Sequence, residues 1–331
     1  MQLLIDCDTN ISNIVNYSIK LGKAKMVVIY DDRSELSKIL ASSYSKLTYS
    51  KYIHNFDEVI GSLDLVLQRQ SFEDIVATLE PDDAVVLIQS SSFRLDNFRI
   101  RIHLFNKGLK VIEHTHLNRY NSLSIPTYIE SLRYDKKELE YYIREGGNYE
   151  TSINNCNGVI IKSGGYTLSS GLLEKCKLNI GQFKEGKNIG GTYPIGEVFT
   201  ECQNLSTLNG QARVYAFANK NFEVEMVNPF TINIEDGIVI GYSDGAPLAF
   251  VEIYNIVKNN ETPYIREIGF GLNRAQTRSN YLPDITAFER IKGIHLSMGE
   301  KHSVYKKDHI VTHKSRFHID IFIESEIVTF E

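Results

Sequence analysis

The chain has 331 residues, of which 36 are Lys or Arg and 41 are Asp or Glu, and its formal net charge is −5. This balance argues against a nucleic-acid-binding role that depends on neutralising phosphates. We expect a cytoplasmic protein, because no apolar run approaches the roughly 18 residues of a membrane span and no signal-peptide pattern opens the sequence. The scattered cysteines, Cys7, Cys156, Cys176 and Cys202, favour neither a zinc ribbon nor a disulfide scaffold.

Short apolar runs alternate with segments of helical periodicity in the first 150 residues. The strand-like runs are residues 3–5, 26–30, 84–88 and 111–112. The helical segments are residues 34–46, 57–68, 95–107 and 134–145, the last ending at Gly146-Gly147. Because short buried strands separated by helices are typical of parallel sheets, we predict that residues 1–150 form an α/β domain with a parallel sheet.

The second half changes character, because only five of the 22 glycines precede residue 150. Its strand-like segments are residues 159–162, 212–218, 223–227, 238–241, 265–269, 318–322 and 327–330. Turn dipeptides such as Asn209-Gly210 and Asp236-Gly237 separate them, and helices are predicted over residues 246–259 and 284–291. We therefore predict an α+β domain over residues 151–331, and we expect it to bind a metal for the reasons that follow.

Five of the nine histidines lie at or after His295, and His318 begins a β-branched run. Side chains alternate between the two faces of a strand, so His318 and Asp320 are predicted to point the same way. Ile319 and Ile321 are predicted to point to the opposite face. One face can therefore hold a metal, while the other anchors the core.

Three further polar residues lie in apolar or glycine-bounded segments: Glu197, Glu267 and His295. Taken singly, each is more often a solvated position on a strand. Together with His318 and Asp320 they form a set of ligand types that zinc, cobalt, manganese and iron accept. Five such groups suit a two-metal centre, in which two ions roughly 3.5–4 Å apart activate water and polarise a carbonyl.

Four ordered segments resemble motifs of the thermophilic metallo-aminopeptidases, a two-domain group of dinuclear-metal exopeptidases. Residues 194–199 are similar to the family's Pro-x-Gly-Glu-Val-Phe, and residues 267–273 to its Glu-Leu-Gly-Ile-Gly-x-Asn. Residues 289–299 are similar to Glu-Lys-Ile-x-Gly-Thr-x-His-x-Ala-x-Gly, and residues 313–320 to Asn-x-Ser-x-x-His-x-Asp. The chain departs from the family by one missing residue before His295 and by His313 in place of Asn.

The resemblance implies a hydrolase that removes an N-terminal residue or cleaves a small amide, with a pair of zinc, cobalt or manganese ions. It implies metal ligation by five residues: Glu197, Glu267, His295, His318 and Asp320. Either Glu267 or Glu197 would serve as general base instead of ligand. Family members have a tyrosine soon after the histidine that corresponds to His295, and Tyr305 or His302 would occupy that position here. A small peptide or small-molecule substrate and a homodimer are also implied.

Two alternatives stay open at the level of sequence. The chain also resembles the 2,5-dihydroxypyridine dioxygenases, shortened members of the same superfamily that bind a single Fe(II). His295, His318 and Asp320 would supply their two-histidine, one-carboxylate triad. Chain length favours the dioxygenase, whereas the presence of both Glu197 and Glu267 favours the hydrolase. The missing residue before His295 favours a third hypothesis, that the chain is a catalytically diverged binding or accessory protein.

Overall fold

A computed structural model of the chain describes residues 2–61, 64–93, 95, 98–184, 186, 188–299, 305 and 318–331. The contacts divide the chain into two units. Unit 1 comprises Met1–Tyr141 and Gly181–Ile195, and unit 2 comprises Tyr142–Ile180 and Gly196–Glu331. Every residue that we predicted as a metal ligand lies in unit 2.

The helices and strands are as follows, in chain order. The helices are α1 (Gln2–Asn13), α2 (Glu35–Ser45), α3 (Phe56–Ile60), α4 (Leu65–Val76), α5 (Ile100–Asn106), α6 (Ile125–Ser131), α7 (Lys136–Asn155), α8 (Leu248–Asn260) and α9 (Ile285–Phe288). The strands are β1 (Met26–Tyr30), β2 (Ile53–Asn55), β3 (Ala84–Ile88), β4 (Lys110–His114), β5 (Val159–Ser163), β6 (Tyr166–Ser170), β7 (Lys177–Asn179), β8 (Gly190–Thr192), β9 (Glu197–Thr200), β10 (Asn209–Ala218), β11 (Val224–Glu235), β12 (Ile238–Tyr242), β13 (Ile265–Gly271), β14 (Gly293–Gly299), β15 (His318–Ile323) and β16 (Ile327–Phe330).

Unit 1 contains the predicted parallel sheet, with the described strands in the order β2-β1-β3-β4-β8. All five residues of β3 are buried, as expected for a strand covered on both faces. The strands predicted over residues 26–30 and 84–88 are confirmed, and the one over 111–112 is longer. The helix predicted over residues 34–46 is α2, which begins after the capping residue Ser34.

Residues 3–5 lie in a helix, so the strand predicted there is wrong. Buried apolar side chains of this region include Cys7, Ile11 and Ile14, which are spaced four and three residues apart. This spacing places them on one helical face. Three apolar residues alone are too few to distinguish a strand from the first turn of a helix.

The last predicted helix of the first half does not end at Gly146-Gly147 but continues to Asn155 as α7. Each glycine inside a helix costs roughly 1 kcal/mol relative to alanine. Packing offsets this cost, because a Cβ at Gly146 would lie only 3.1 Å from Ile180 and 3.2 Å from Leu178. The glycine thus permits the close approach of α7 to the β7 region, which local propensity could not indicate.

Unit 2 is dominated by a large, curled antiparallel sheet. Its described strands run β16-β5-β6-β10-β15-β14-β13-β9-β7, and β11 pairs with β10 and β12 at the side. The hairpin predicted at Asp236-Gly237 joins β11 to β12, and both residues have positive φ angles, as this turn type requires. Asn209-Gly210, in contrast, is not a turn, because it begins β10 and Gly210 pairs with both β6 and β11.

Three other predicted helices differ in extent from the observed ones. Within residues 57–68, the described helical residues belong to two helices, α3 and α4. Of the described residues in the segment 95–107, those of α5 are α-helical. The segment 284–291 is reduced to α9, whose capping residue Asp284 accepts a hydrogen bond from Thr286 N. The helix predicted over 246–259 is confirmed as α8. Of the helices that the structure describes, none is both long and apolar enough to cross a bilayer.

Candidate metal centre

Four neighbouring strands of the unit 2 sheet carry the candidate residues on one face. Asp320 on β15 lies opposite Ser297 on β14, and Ser297 lies opposite Glu267 on β13. Glu197 on β9 lies opposite Gly271, which shares the face of Glu267 because the two are an even number of residues apart. Strand pairing alone therefore brings together carboxylates that are far apart in sequence.

His295 lies on the same face of β14, two residues before Ser297. Its partner across the strand pair is Gly269. A Cβ atom at Gly269 would lie 2.1 Å from Cε1 and 2.2 Å from Nε2 of His295. The imidazole ring therefore occupies the space of a missing side chain, and it reaches across β13 towards Glu197 on the next strand.

Nε2 of His295 faces two carboxylates. It lies 3.3 Å from Oε1 of Glu197 and 3.5 Å from Oε1 of Glu267. Within the described part of the chain, this buried nitrogen has no hydrogen-bond partner of good geometry. Ligand atoms at about 2.1 Å from a tetrahedrally bound ion are about 3.4 Å apart. The two distances to the imidazole nitrogen therefore match those between ligands of one ion, and ligand atoms of the three residues all lie within 4.8 Å of one another, so the group could hold a divalent cation.

Ser297 and His318 contact the Asp320 carboxylate next to this group. Ser297 Oγ donates a hydrogen bond to Oδ1 of Asp320 at 2.6 Å and lies 3.5 Å from Oε1 of Glu267. Nε2 of His318 lies 3.3 Å from the same Oδ1 atom. The predicted common orientation of His318 and Asp320 is thus confirmed, and the side chains of Ile319 and Ile321 are buried.

Burial and charge act against each other in this cluster. Burial lowers the pKa of His295, but Glu197 and Glu267 outweigh it and raise the value to about 9. Burial raises the pKa of Glu197, yet Arg290 and His295 hold it below its usual value. The pKa of Asp320 is likewise lowered, because His318 and His295 outweigh burial. The carboxylates of Glu197 and Asp320 are thus held ionised, in the form that binds a cation.

Glu289 and Arg290 belong to the same region, although the sequence did not lead us to predict them as site residues. Nη2 of Arg290 lies 3.6 Å from Oε2 of Glu197, and its Nη1 pairs with Glu289 and donates to Thr286 O. A carboxylate oxygen of Glu289 is within 4.8 Å of ligand atoms of His295 and Asp320. Glu289 heads the segment that resembles the family's Glu-Lys-Ile motif, and this position was its signal in the sequence.

Tyr305 and His302 are the two remaining residues that we predicted as catalytic. The hydroxyl of Tyr305 donates to Lys175 O at 3.0 Å and lies 3.4 Å from Phe199 O. Burial raises the pKa of this phenol well above its usual range. Tyr305 therefore contacts the main chain beside β9, and its catalytic role stays a prediction. His302 lies outside the described residues.

His114 of unit 1 is fully buried at the end of β4. Nδ1 lies 2.9 Å from the hydroxyl of Tyr128, and Nε2 lies 2.9 Å from that of Tyr44. The Tyr128 hydroxyl donates to Tyr193 O, so it accepts from Nδ1–H, and Tyr44 donates to Nε2. Burial lowers the pKa of His114 to about 3, and the ring is neutral.

Comparisons with known proteins give likeness in structure alone. No known protein family matches the sequence, and no curated protein does. The structure is similar to a 2,5-dihydroxypyridine dioxygenase from Pseudomonas putida KT2440, with 15% identity, a TM-score of 0.60, and coverage of 97% of this chain and 91% of the other. It is also similar to wild-type AmpT from Thermus thermophilus, with 11% identity, a TM-score of 0.55, and coverage of 98% and 94%. At these identities the comparisons concern the fold.

Proposed function

We propose that the chain is a metal-dependent hydrolase with a two-metal centre, acting on the N-terminal bond of a short peptide or on a small amide. The observation that carries this proposal is the convergence of three buried carboxylates, from Glu197, Glu267 and Asp320, around His295. A site for one ferrous ion needs a single carboxylate, whereas this cluster has charge enough for two divalent ions.

The cost of burial supports a cation in this place. Carboxylates are costly to bury in their ionised form unless charge compensates them. In the cluster itself, the described compensating groups are the guanidinium of Arg290 and the imidazole of His295, whose pKa is raised to about 9. Divalent cations compensate these charges more fully, and they supply Lewis-acid polarisation of a carbonyl together with activation of water.

Each residue has a distinct part in the proposed reaction. Glu197, Glu267, His295, His318 and Asp320 are proposed to hold the ions. Ser297 orients the Asp320 carboxylate through its hydrogen bond, so that one oxygen atom faces the site. Arg290 holds the second oxygen of Glu197. One of the two glutamates takes up the proton of the attacking water, since a carboxylate near the scissile bond suffices for this step.

Metal content and peptide hydrolysis test the proposal together. The protein is loaded with zinc, cobalt or manganese, its metal content is measured, and release of the first residue from leucine p-nitroanilide is followed. We expect two ions per chain and turnover that falls at least 100-fold in Glu267→Gln and in Glu197→Gln, with folding preserved. Glu252→Gln, which changes an exposed glutamate of α8, is the matched control. An unchanged rate in either site variant would overturn the assignment.

A mononuclear Fe(II) dioxygenase is the second candidate. His295, His318 and Asp320 offer two imidazoles and a carboxylate, and one of the similar structures bears a dioxygenase name. This function predicts one iron per chain and oxygen uptake with 2,5-dihydroxypyridine. It also predicts loss of activity in His295→Ala and tolerance of Glu197→Gln. An accessory protein would instead bind negligible metal, so elemental analysis separates the three possibilities.

A further inference from the structure

Unit 2 contains a cleft of about 350 Å³ at one end of the strands that carry the candidate metal centre. Its wall includes an aromatic ring, two arginines, a lysine, an amide and a glycine: Tyr215, Arg274, Arg278, Lys292, Gln276 and Gly293. No aspartate or glutamate lines it among the residues that the structure describes. Glu324 lies between the lining residues Ile323 and Ser325 and pairs with Arg278. The cleft nevertheless keeps an excess of positive charge from Arg274 and Lys292, in a chain whose net charge is −5.

The cleft lies close to the metal centre along β14. Gly293 and His295 are two residues apart on this strand, and they share its face. Because a strand rises about 3.3 Å per residue, their Cα atoms are roughly 7 Å apart. Aromatic rings also connect the cleft to the metal centre. The ring centroids of Tyr215 and Phe322 are 6.4 Å apart, and those of Phe322 and His295 are 5.5 Å apart.

One cation of the cleft is held in a defined orientation. The guanidinium of Arg278 lies 3.8 Å from the centroid of the Tyr215 ring, and its Nη1 is 3.3 Å from Oε1 of Glu324. Stacking on an aromatic ring orients the planar donor group, so less conformational freedom is lost when an anion binds. Arg274 and Lys292 are exposed at the same cleft and add two further positive charges.

We propose that this cleft binds the free carboxylate of a di- or tripeptide whose amino end lies at the metal centre. The inference rests on the proposed function and narrows its substrate class. Acidic groups surround His295, and basic groups line the cleft that begins at Gly293, two residues away along β14. An extended peptide spans at most about 3.3–3.6 Å per residue, so two or three residues bridge the distance between them.

Binding to the metal-free protein tests the cleft without requiring turnover. Trialanine and trialanine amide, which differ only in the terminal carboxylate, are titrated into the protein in a calorimeter. We expect the acid to bind roughly tenfold more tightly than the amide, because an ion-paired hydrogen bond contributes more than a neutral one. This preference should largely disappear in Arg278→Gln and in Lys292→Gln. Equal binding of acid and amide by the unmodified protein would overturn the proposal.

Matched controls distinguish the cleft from general charge effects. Arg144→Gln and Lys220→Gln remove exposed cations that do not line the cleft, and both should keep the preference for the acid. Persistence of the preference in both cleft variants would count against the proposal. Inorganic phosphate is titrated as a second probe, since the same cations bind phosphate. Tighter binding of phosphate than of trialanine would overturn the assignment to a carboxylate.

The outcomes also separate this inference from the proposed function. A preference for trialanine that is lost in the cleft variants supports the carboxylate site even when the metal-loaded protein hydrolyses no peptide. Conversely, metal-dependent hydrolysis of acid and amide at equal rates, together with their equal binding, supports the hydrolase and overturns the carboxylate site.

Discussion

The imidazole of His295 covers Gly269, whose absent Cβ would lie 2.2 Å from Nε2. A methyl group at this position must displace the ring, and the ring supplies the nitrogen that faces Glu197 and Glu267. The absence of a side chain at Gly269 is therefore required for the position of the His295 ring in the candidate metal centre.

We predict that Gly269→Ala weakens zinc binding by at least roughly tenfold, since the ligand ring is moved, and lowers stability by about 1–3 kcal/mol through overpacking. Zinc affinity is measured by competition with a chromophoric chelator, and stability by urea unfolding. The control is Gly241→Ala in β12, where the nearest atom to a new Cβ is Asn233 Nδ2 at 3.9 Å. Unaltered zinc affinity in Gly269→Ala would mean that the ring is not a ligand.

Metal affinity should depend on pH through His295. A metal binds the neutral imidazole, whereas in the metal-free protein the pKa of this group is raised to about 9. Below pH 9 a proton must leave, so the apparent zinc affinity should rise about tenfold per pH unit up to about pH 9 and then level off. Proton release on zinc binding, measured in buffers of different ionisation enthalpy, checks this. An affinity that is flat between pH 6.5 and 8.5 would contradict the raised pKa.

Ser297 is expected to act on the metal only through its neighbours. Its hydroxyl donates to Asp320 at 2.6 Å, and loss of such an orienting hydrogen bond costs roughly 10–100-fold in metal affinity. We therefore predict this loss in Ser297→Ala, with stability reduced by only about 1 kcal/mol. Ser279→Ala, at an exposed loop position, should leave both quantities unchanged. A Ser297→Ala protein with full zinc affinity would remove the serine from the site.

Removal of metal should destabilise the protein. Ions that bind only the folded state stabilise it by about 2.7 kcal/mol when free ion is at 100 times the dissociation constant. A chelator should therefore lower the unfolding temperature, and zinc, cobalt or manganese should restore it. His295→Ala provides the control, because its unfolding temperature should respond little to either treatment. Equal responses of the two proteins would place the metal elsewhere.

Acid should destabilise unit 1 through His114. Its pKa is about 3 in the folded chain and about 6.5 when unfolded. The unfolded state therefore binds the proton first, and stability is complete above pH 6.5 and falls by about 1.4 kcal/mol per pH unit towards pH 3. His114→Gln should be less stable than the unmodified protein at pH 7.5, because it loses the buried hydrogen bonds. At pH 5 this difference in unfolding free energy should be smaller by about 2 kcal/mol, because the unmodified protein is itself destabilised by protonation of the unfolded state. Tyr44→Phe, which keeps the buried ring, should retain the pH dependence.

Residue periodicity predicted much of the secondary structure. Strands β1 and β3 and helices α2 and α8 followed from apolar runs and caps, because their local preferences agree with their final environment. Periodicity did not predict that residues 3–5 are helical, nor that α7 continues past Gly146. In the first case the apolar run was too short to be diagnostic, and in the second a close contact with Ile180 outweighed the preference of glycine against helix.

The amino-acid sequence shows which chemical groups are available. It also places His318 and Asp320 on one strand face, since alternation is a local property of the backbone. The meeting of Glu197, Glu267 and His295 depends on the order and register of β9, β13 and β14, which no local pattern specifies. The roles of Gly269 and Arg290 depend on the tertiary structure in the same way. Neither is recognisable without the partner that each one contacts, and no local pattern encodes a partner on another strand.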